Sequence, residues 1–127
     1  MFAQIDTMRM ARDLGAHAAQ RQRVIATNVA NADTPGYRAR DLPKFDDSLR
    51  HGALELRATR PGHLTAGSSS TRAQAVEVEG EPSPNGNTVS LEDEMVRSAD
   101  AKREFDLSLA VVQSGMNLMR TAIGRRG

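Results

Sequence analysis

The sequence predicts a mainly α protein, with long N- and C-terminal helices packed as an antiparallel coiled coil around an extended, partly β, partly disordered insertion. Three observations carry this reading. Leu91, Met95, Ser98, Lys102, Phe105, Leu109, Val112, Met116, Met119 and Ile123 follow one another by alternating steps of four and three, apolar in eight of ten places. Such a heptad seam asks for a partner helix along its length. A second helical pattern covers roughly residues 3–32 and supplies one partner. Between them, Pro43, Pro61, Gly62, Gly67, Gly80, Pro82, Pro84 and Gly86 break up a polar middle that holds no core of its own.

At 127 residues the chain is one domain at most. It divides into residues 1–40 (helix plus turn), 41–89 (a loop-rich insertion) and 90–127 (helix). Phe2, Tyr37, Phe45 and Phe105 are its aromatic residues. Aromatic side chains bring the largest burial per residue, so a compact core is poorly provisioned. Residues 1–40 hold six basic and three acidic groups, residues 41–89 five and seven, and residues 90–127 six and six. No long block of like charge stands out and no basic face carries aromatics, so a nucleic-acid partner is not expected. Cysteine is absent, which removes disulfides, thiolate metal sites and cysteine nucleophiles. Asp6, Arg9, Arg12, Asp13 and His17 interrupt any apolar run of a cleaved signal peptide, and no stretch reaches the ~20 apolar residues of a membrane span.

In the N-terminal helix, Ala11, Leu14, Ala18, Ile25, Val29 and Ala32 share one face, continued upstream by Ile5 and Met8. Small alanines dominate, so the face approaches a neighbour closely but stabilises little per residue. Arg21 and Asn28 fall near the seam and weaken it. The helix stops at Thr34-Pro35-Gly36-Tyr37, where Pro at the second and Gly at the third position of a turn meet the requirement of type II. Ala53–Ala58 and Gln74–Glu79 alternate as two short strands, with Val76 and Val78 on one face of the second; a hairpin of that size is marginal alone. The C-terminal helix begins at the cap Ser90, carries Glu92, Asp93 and Glu94 at the positive end of its dipole, and ends at Gly124. Gly115 is its weak point and a place for a close neighbour.

Candidate chemistry is thin. His17, His51 and His63 have no partners at metal-ligand spacing, and His17 reads as a helix-flank residue. The carboxylates at 92–94 are explained by the cap and the dipole. Asn85-Gly86 reads as a turn, since it lacks the strand and the helix lysine of a phosphate loop. No nucleophile has a base beside it. Neither an enzyme, a cofactor, a metal nor a small-molecule substrate is expected. The packing seam is assigned to Leu14, Ile25, Phe105, Leu109, Val112, Met116, Met119 and Ile123. Asn28 and Asn31 are the remaining anomaly: two asparagines on the last turn of a helix are costly by propensity, and their amides suit the backbone of the turn or a neighbouring subunit.

Asn28, Ala30, Asn31, Thr34, Pro35, Gly36 and Tyr37 form a string that closely resembles the signature of the flagellar basal-body rod, hook and hook-associated axial proteins. The resemblance extends through Arg21–Ala26 and Arg38–Leu42, through Asn85–Met95, and to Leu118–Gly124. In length and ending the chain most resembles the short proximal rod members. The resemblance implies a structural subunit of the bacterial flagellar basal body, polymerising through its terminal helices into part of the axial drive shaft that motility needs. It implies helical assembly with copies of itself and with other rod and basal-body proteins. It also implies passage through the flagellar type III export apparatus without a cleaved signal, and residence in the periplasmic rod. The alternatives are another short rod subunit, or a cytoplasmic helical adaptor or export chaperone.

Overall fold

A 29-residue helix, α1, runs from Phe2 to Ala30 and a 34-residue helix, here α2, from Leu91 to Gly124. In the computed structural model, which describes residues 2–50 and 73–124, they are joined by two short strands, β1 (Arg40–Asp41) and β2 (Val76–Glu77). Residues 45–50 are helical. The C-terminal end of α1 and the start of α2 lie close to those expected from sequence. Ser90 caps α2, its hydroxyl accepting the Asp93 N–H at 3.4 Å. Ala53–Ala58 lies outside the described residues. The other expected strand forms over Val76–Glu77 and pairs antiparallel with Arg40–Asp41, Arg40 opposite Glu77 and Asp41 opposite Val76. The chain therefore returns to the residues immediately after the turn. The backbone bond from Val78 N–H to Ala39 O, 2.9 Å, extends this pairing.

α1 and α2 pack antiparallel. Gln22 donates to Ser98 O at 2.9 Å and accepts from the Ser98 hydroxyl at 3.2 Å, and Asn28 reaches Glu94. Further along, Gly15 faces Ser108 and Gly115 faces Met8. The buried residues of α1 include Met8, Ala11, Ala18 and Ile25, spaced for one helical face. On α2 they are Glu94, Ala101 and Ser108, seven residues apart. Gly115 continues that row. This row sits one residue from the heptad Met95, Lys102, Leu109, Met116, so the inward face is rotated by about 100° from the one expected. Size explains the choice. A β-carbon at position 15 would lie 2.7 Å from Ser108 Oγ, and one at position 115 would lie 2.9 Å from Met8 Cγ. Small residues let the two helices approach; the larger apolar side chains stay outside. At Gly115 the close neighbour is thus the Met8 side chain.

Two polar residues take buried places the sequence did not give them. Asn28 is buried while its neighbour Val29 is exposed. His17 is buried, its Nε2 bonded to Pro43 O at 2.9 Å and its ring edge-on to Phe45 at 5.6 Å. That contact holds the segment after β1 across α1, beside the buried Leu42 and Ala39.

The close approach at Gly15 makes a specific demand. Gly15→Val should destabilise the purified chain by about 1–3 kcal/mol, the usual range for overpacking, read as a lower melting temperature by circular dichroism. Ser108 cannot yield readily, because its hydroxyl donates to Phe105 O at 2.6 Å. Gly115→Ala meets only a flexible Met8, and with the ~1 kcal/mol gain in helix propensity it should leave the melting temperature nearly unchanged.

Candidate assembly interface

The turn after α1 forms because Gly36 supplies a positive φ of 73° and Tyr37 N–H bonds back to Thr34 O at 3.2 Å. This is the type II geometry expected from Thr34-Pro35-Gly36-Tyr37. Pro35 and Thr34 are exposed, and no atom lies within 4 Å of a β-carbon built on Gly36. Position 36 is therefore constrained by backbone conformation alone. A second tight turn at 83–86, with Gly86 at φ 82°, is laid against the first: Gly36 N–H donates to Asn85 O at 3.0 Å.

Three asparagines join these turns to the helices. Asn28 is 0% exposed and uses its whole amide. Its Nδ2 donates to Arg40 O at 2.6 Å and to Glu94 Oε1 at 3.1 Å; its Oδ1 accepts from Tyr37 OH and from Arg40 N–H, both at 3.1 Å. Asn31 donates to Thr27 O at 2.8 Å and accepts from the Thr34 hydroxyl at 3.2 Å. Asn87, also buried, donates to Asn31 O and Thr34 O at 2.8 Å each and accepts from Val89 N–H at 2.8 Å. Of the two amides singled out from sequence, Asn28 therefore bonds to the backbone of Arg40 and to the Tyr37 and Glu94 side chains, and Asn31 to the Thr27 backbone and the Thr34 hydroxyl; the amide that bonds to the backbone of the turn is that of Asn87. Ala30 closes α1 as an exposed residue.

Charged groups extend the junction along the helix pair. Arg97 donates to Glu94 Oε1 at 2.6 Å and approaches Asp41 Oδ2 at 3.7 Å. Arg21 grips Asp41 with two bonds of 3.0 and 3.1 Å and reaches Glu104 at 4.0 Å. The Asp41 hydrogen bond raises the Arg21 pKa above its ordinary value, against the opposing effect of burial. This chain from Asn28 to Glu104 ties α1, β1 and α2 together. Glu94, 1% exposed, Asn87 and the Arg21–Asp41–Arg97 set were not identified from sequence as site residues. Glu94 had a sufficient local explanation as a first-turn acid. The spacing of Arg21, Asp41 and Arg97 becomes meaningful only once the chain has folded back.

The expected seam divides in two. Ile25 is buried, and Leu14 and Val112 are half-buried in the helix pair. Phe105, Leu109, Met116, Met119 and Ile123 remain exposed, Met116 by 51% and Ile123 by 75%. Leu91, Met95, Val96, Leu107 and Leu118 are exposed as well, so apolar surface runs the length of α2. A groove of about 810 Å³ lies between the helices and the segment after β1, with Met10, Leu14, His17, Leu42, Phe45 and Leu107 among its lining residues. Among the described residues, no group of three or more histidine, aspartate or glutamate side chains is placed to hold a metal, and no helix is long and apolar enough to cross a membrane.

The family model described as flagella basal body rod protein matches residues 16–38, the half of α1 that enters the junction together with the turn. The chain is also similar over most of its length to flagellar basal body rod proteins called FlgB. It is 34% identical over 116 residues to that of Salmonella typhimurium, 32% over 114 residues to that of Agrobacterium fabrum, and 31% over 115 residues to that of Escherichia coli K12. Each alignment covers 83% of this chain and 83% of the relative.

The matched stretch has Asn28 at its centre. Asn28→Leu leaves the Arg40 backbone and the Tyr37 hydroxyl without this partner and Glu94 Oε1 with Arg97 alone, at about 1–3 kcal/mol for each buried group so stranded. The purified variant should lose cooperative helix melting by circular dichroism. Tyr37→Phe removes one bond from the same amide and should cost only about 1 kcal/mol.

Proposed function

The chain belongs to the FlgB family of flagellar basal body rod proteins, and from that premise we propose how its geometry serves the rod. It is a structural subunit, and its work is to present a continuous apolar face that neighbouring subunits cover. The observation that carries this reading is the exposure of Phe105, Leu109, Met116, Met119 and Ile123 on a helix whose inward row is Glu94, Ala101, Ser108 and Gly115. A free-standing helical hairpin gains most by turning its large apolar side chains inward. This one turns them outward. Fully burying a Leu, Ile, Phe or Met side chain contributes about 1.5–3 kcal/mol, far more than an alanine. Most of the stabilisation available to α2 is therefore released on contact with another molecule.

On this reading residues 1–40 and 90–127 form the inner, helical layer, and residues 41–89 lie outward or against adjacent subunits. Leu14, Ile25 and Val112 hold the pair together, while the exposed members of the seam make the contacts between subunits. Asn28, Ala30, Asn31, Thr34, Pro35, Gly36 and Tyr37 form the rigid corner. The partners are copies of the chain and other rod and basal-body proteins. The flagellar type III apparatus is the route of export, with no cleaved signal, and the destination is the periplasmic rod. The subunit is non-enzymatic. Its inward row of small side chains and its polar corner suit a chain that gains its final stability at the site of assembly. A cytoplasmic adaptor or export chaperone is disfavoured, because the relatives over most of the chain are rod proteins.

A charge at the exposed face separates folding from assembly. Met116→Asp is a surface change in the lone subunit and should shift its stability by no more than about 0.5 kcal/mol. In cells it should abolish motility and leave the chain missing from isolated basal bodies. Normal swimming with intact rods would refute the proposed contact face.

A further inference from the structure

Asn85-Gly86 plays no part in the proposed contacts between subunits, and it carries a reaction of its own. The chain has five asparagines, at 28, 31, 85, 87 and 117, and Asn85 is the only one followed by glycine. An asparagine carboxamide is open to attack by the backbone nitrogen of the next residue, and a β-carbon on that residue hinders the approach. Gly86 has none. Asn85 and Gly86 are both exposed, so water and hydroxide reach them. Asn28 and Asn87 are buried, and Asn117 lies within α2 ahead of Leu118. The Asn85 Oδ1 accepts from Asn87 N–H at 3.1 Å, which folds the carboxamide back over the Gly86 peptide.

The peptide unit between 85 and 86 is tied at both ends. Asn85 O accepts from Gly36 N–H at 3.0 Å, and Gly86 N–H donates to Ser83 O at 2.8 Å. Ring closure needs the Gly86 nitrogen to lose its proton and swing toward the Asn85 side chain about the Asn85 Cα–C bond. That rotation carries Asn85 O off Gly36 and the Gly86 nitrogen off Ser83, so both bonds must open. We propose that Asn85 is a site of spontaneous deamidation and isoaspartate formation, held off by the closed corner. Hydroxide takes the Gly86 amide proton, and the nitrogen bonds to Asn85 Cγ. The carboxamide nitrogen leaves as ammonia with a proton from water, giving a five-membered succinimide. Water then adds at either ring carbonyl and breaks that carbonyl's bond to the ring nitrogen. One water is consumed and one ammonia released. Aspartate, the first product, keeps the main chain, and its carboxylate accepts from Asn87 N–H as the amide did. In isoaspartate, the second, the chain runs through Cβ and Cγ and is one methylene longer, and the former Asn85 carbonyl becomes a pendant carboxylate. The turn at 83–86 then no longer fits the turn at 34–37.

The test incubates the purified full-length chain in mildly alkaline buffer, native and in urea, and follows the Asn85 peptide by mass spectrometry. Chromatography separates its aspartyl and isoaspartyl forms. In urea, Asn85 should deamidate ahead of the other four asparagines, and faster as the pH rises. In the native chain it should react at least about tenfold more slowly, because two hydrogen bonds of ordinary net strength must open. Gly36→Ala meets no atom within 4 Å but strains a φ of 73°, and should react faster than wild type while circular dichroism still shows folded helices. Should that variant unfold, the comparison of native with denatured wild type still decides. Asn85→Asp should melt like the wild-type chain, and the isolated isoaspartyl form at a lower temperature. Equal native and denatured rates, or a folded Gly36→Ala chain no faster than wild type, overturn protection by the corner. Another asparagine reacting first in urea overturns the site, and an isoaspartyl chain that melts like wild type overturns its effect on the turn. These measurements involve no rod, so their failure leaves the proposed function standing.

Discussion

The structure depends on the burial of one side-chain amide. Asn28 sits where α1 ends, and all four of its hydrogen-bonding positions are used by three parts of the chain: the turn through Tyr37, strand β1 through both backbone groups of Arg40, and the start of α2 through Glu94. An apolar residue there would pack against any neighbour of suitable size. An amide is satisfied in one arrangement, and a slip of one residue strands several buried polar groups at once. The junction therefore fixes which residue of α2 starts opposite the end of α1. The rest of the antiparallel register, Gln22 on Ser98, Gly15 at Ser108 and Gly115 at Met8, follows from that alignment.

Fixing the register with polar groups allows the helix pair to do without a conventional core. Its inward rows are mostly small, and its contact is close because glycine stands at positions 15 and 115. The large apolar side chains are thereby freed for the outside. Had Leu109 and Met116 faced inward, the lone subunit would be more stable and the surface left for neighbours would be largely polar. On the proposed function, the rotation of the inward face by one residue is a division of labour: specificity within the chain from hydrogen bonds, and affinity between chains from apolar area.

This division also explains what was legible in the sequence. The end of α1 and the start of α2 were legible because they rest on local chemistry: the Pro35-Gly36 turn and the Ser90 cap. The type II turn was legible for the same reason, since a positive φ at the third position calls for glycine. The inward face of α2 was not, because heptad analysis ranks residues by hydrophobicity and this interface selects for smallness. Ala101, Ser108 and Gly115 give almost no signal beside Leu109 and Met116. The charged chain through Arg21, Asp41, Arg97 and Glu94 was equally silent, being assembled from positions up to 76 residues apart. Pairing of β2 with β1 depends on the chain returning across a long insertion, which no local pattern encodes.

A polar corner is not the strongest way to hold two helices together. Ionic groups taken out of water recover little net stability, and well-packed apolar residues often do better. What Arg21, Asp41, Arg97 and Glu94 add is the penalty for error: a misaligned pair leaves charges buried and unmatched. That penalty matters most in a subunit whose outer face is apolar and nearly continuous. Apolar surface adheres in many registers, and an array built from such subunits stays regular only if each presents the face at one fixed angle. The buried hydrogen bonds at the corner set that angle before any neighbour arrives.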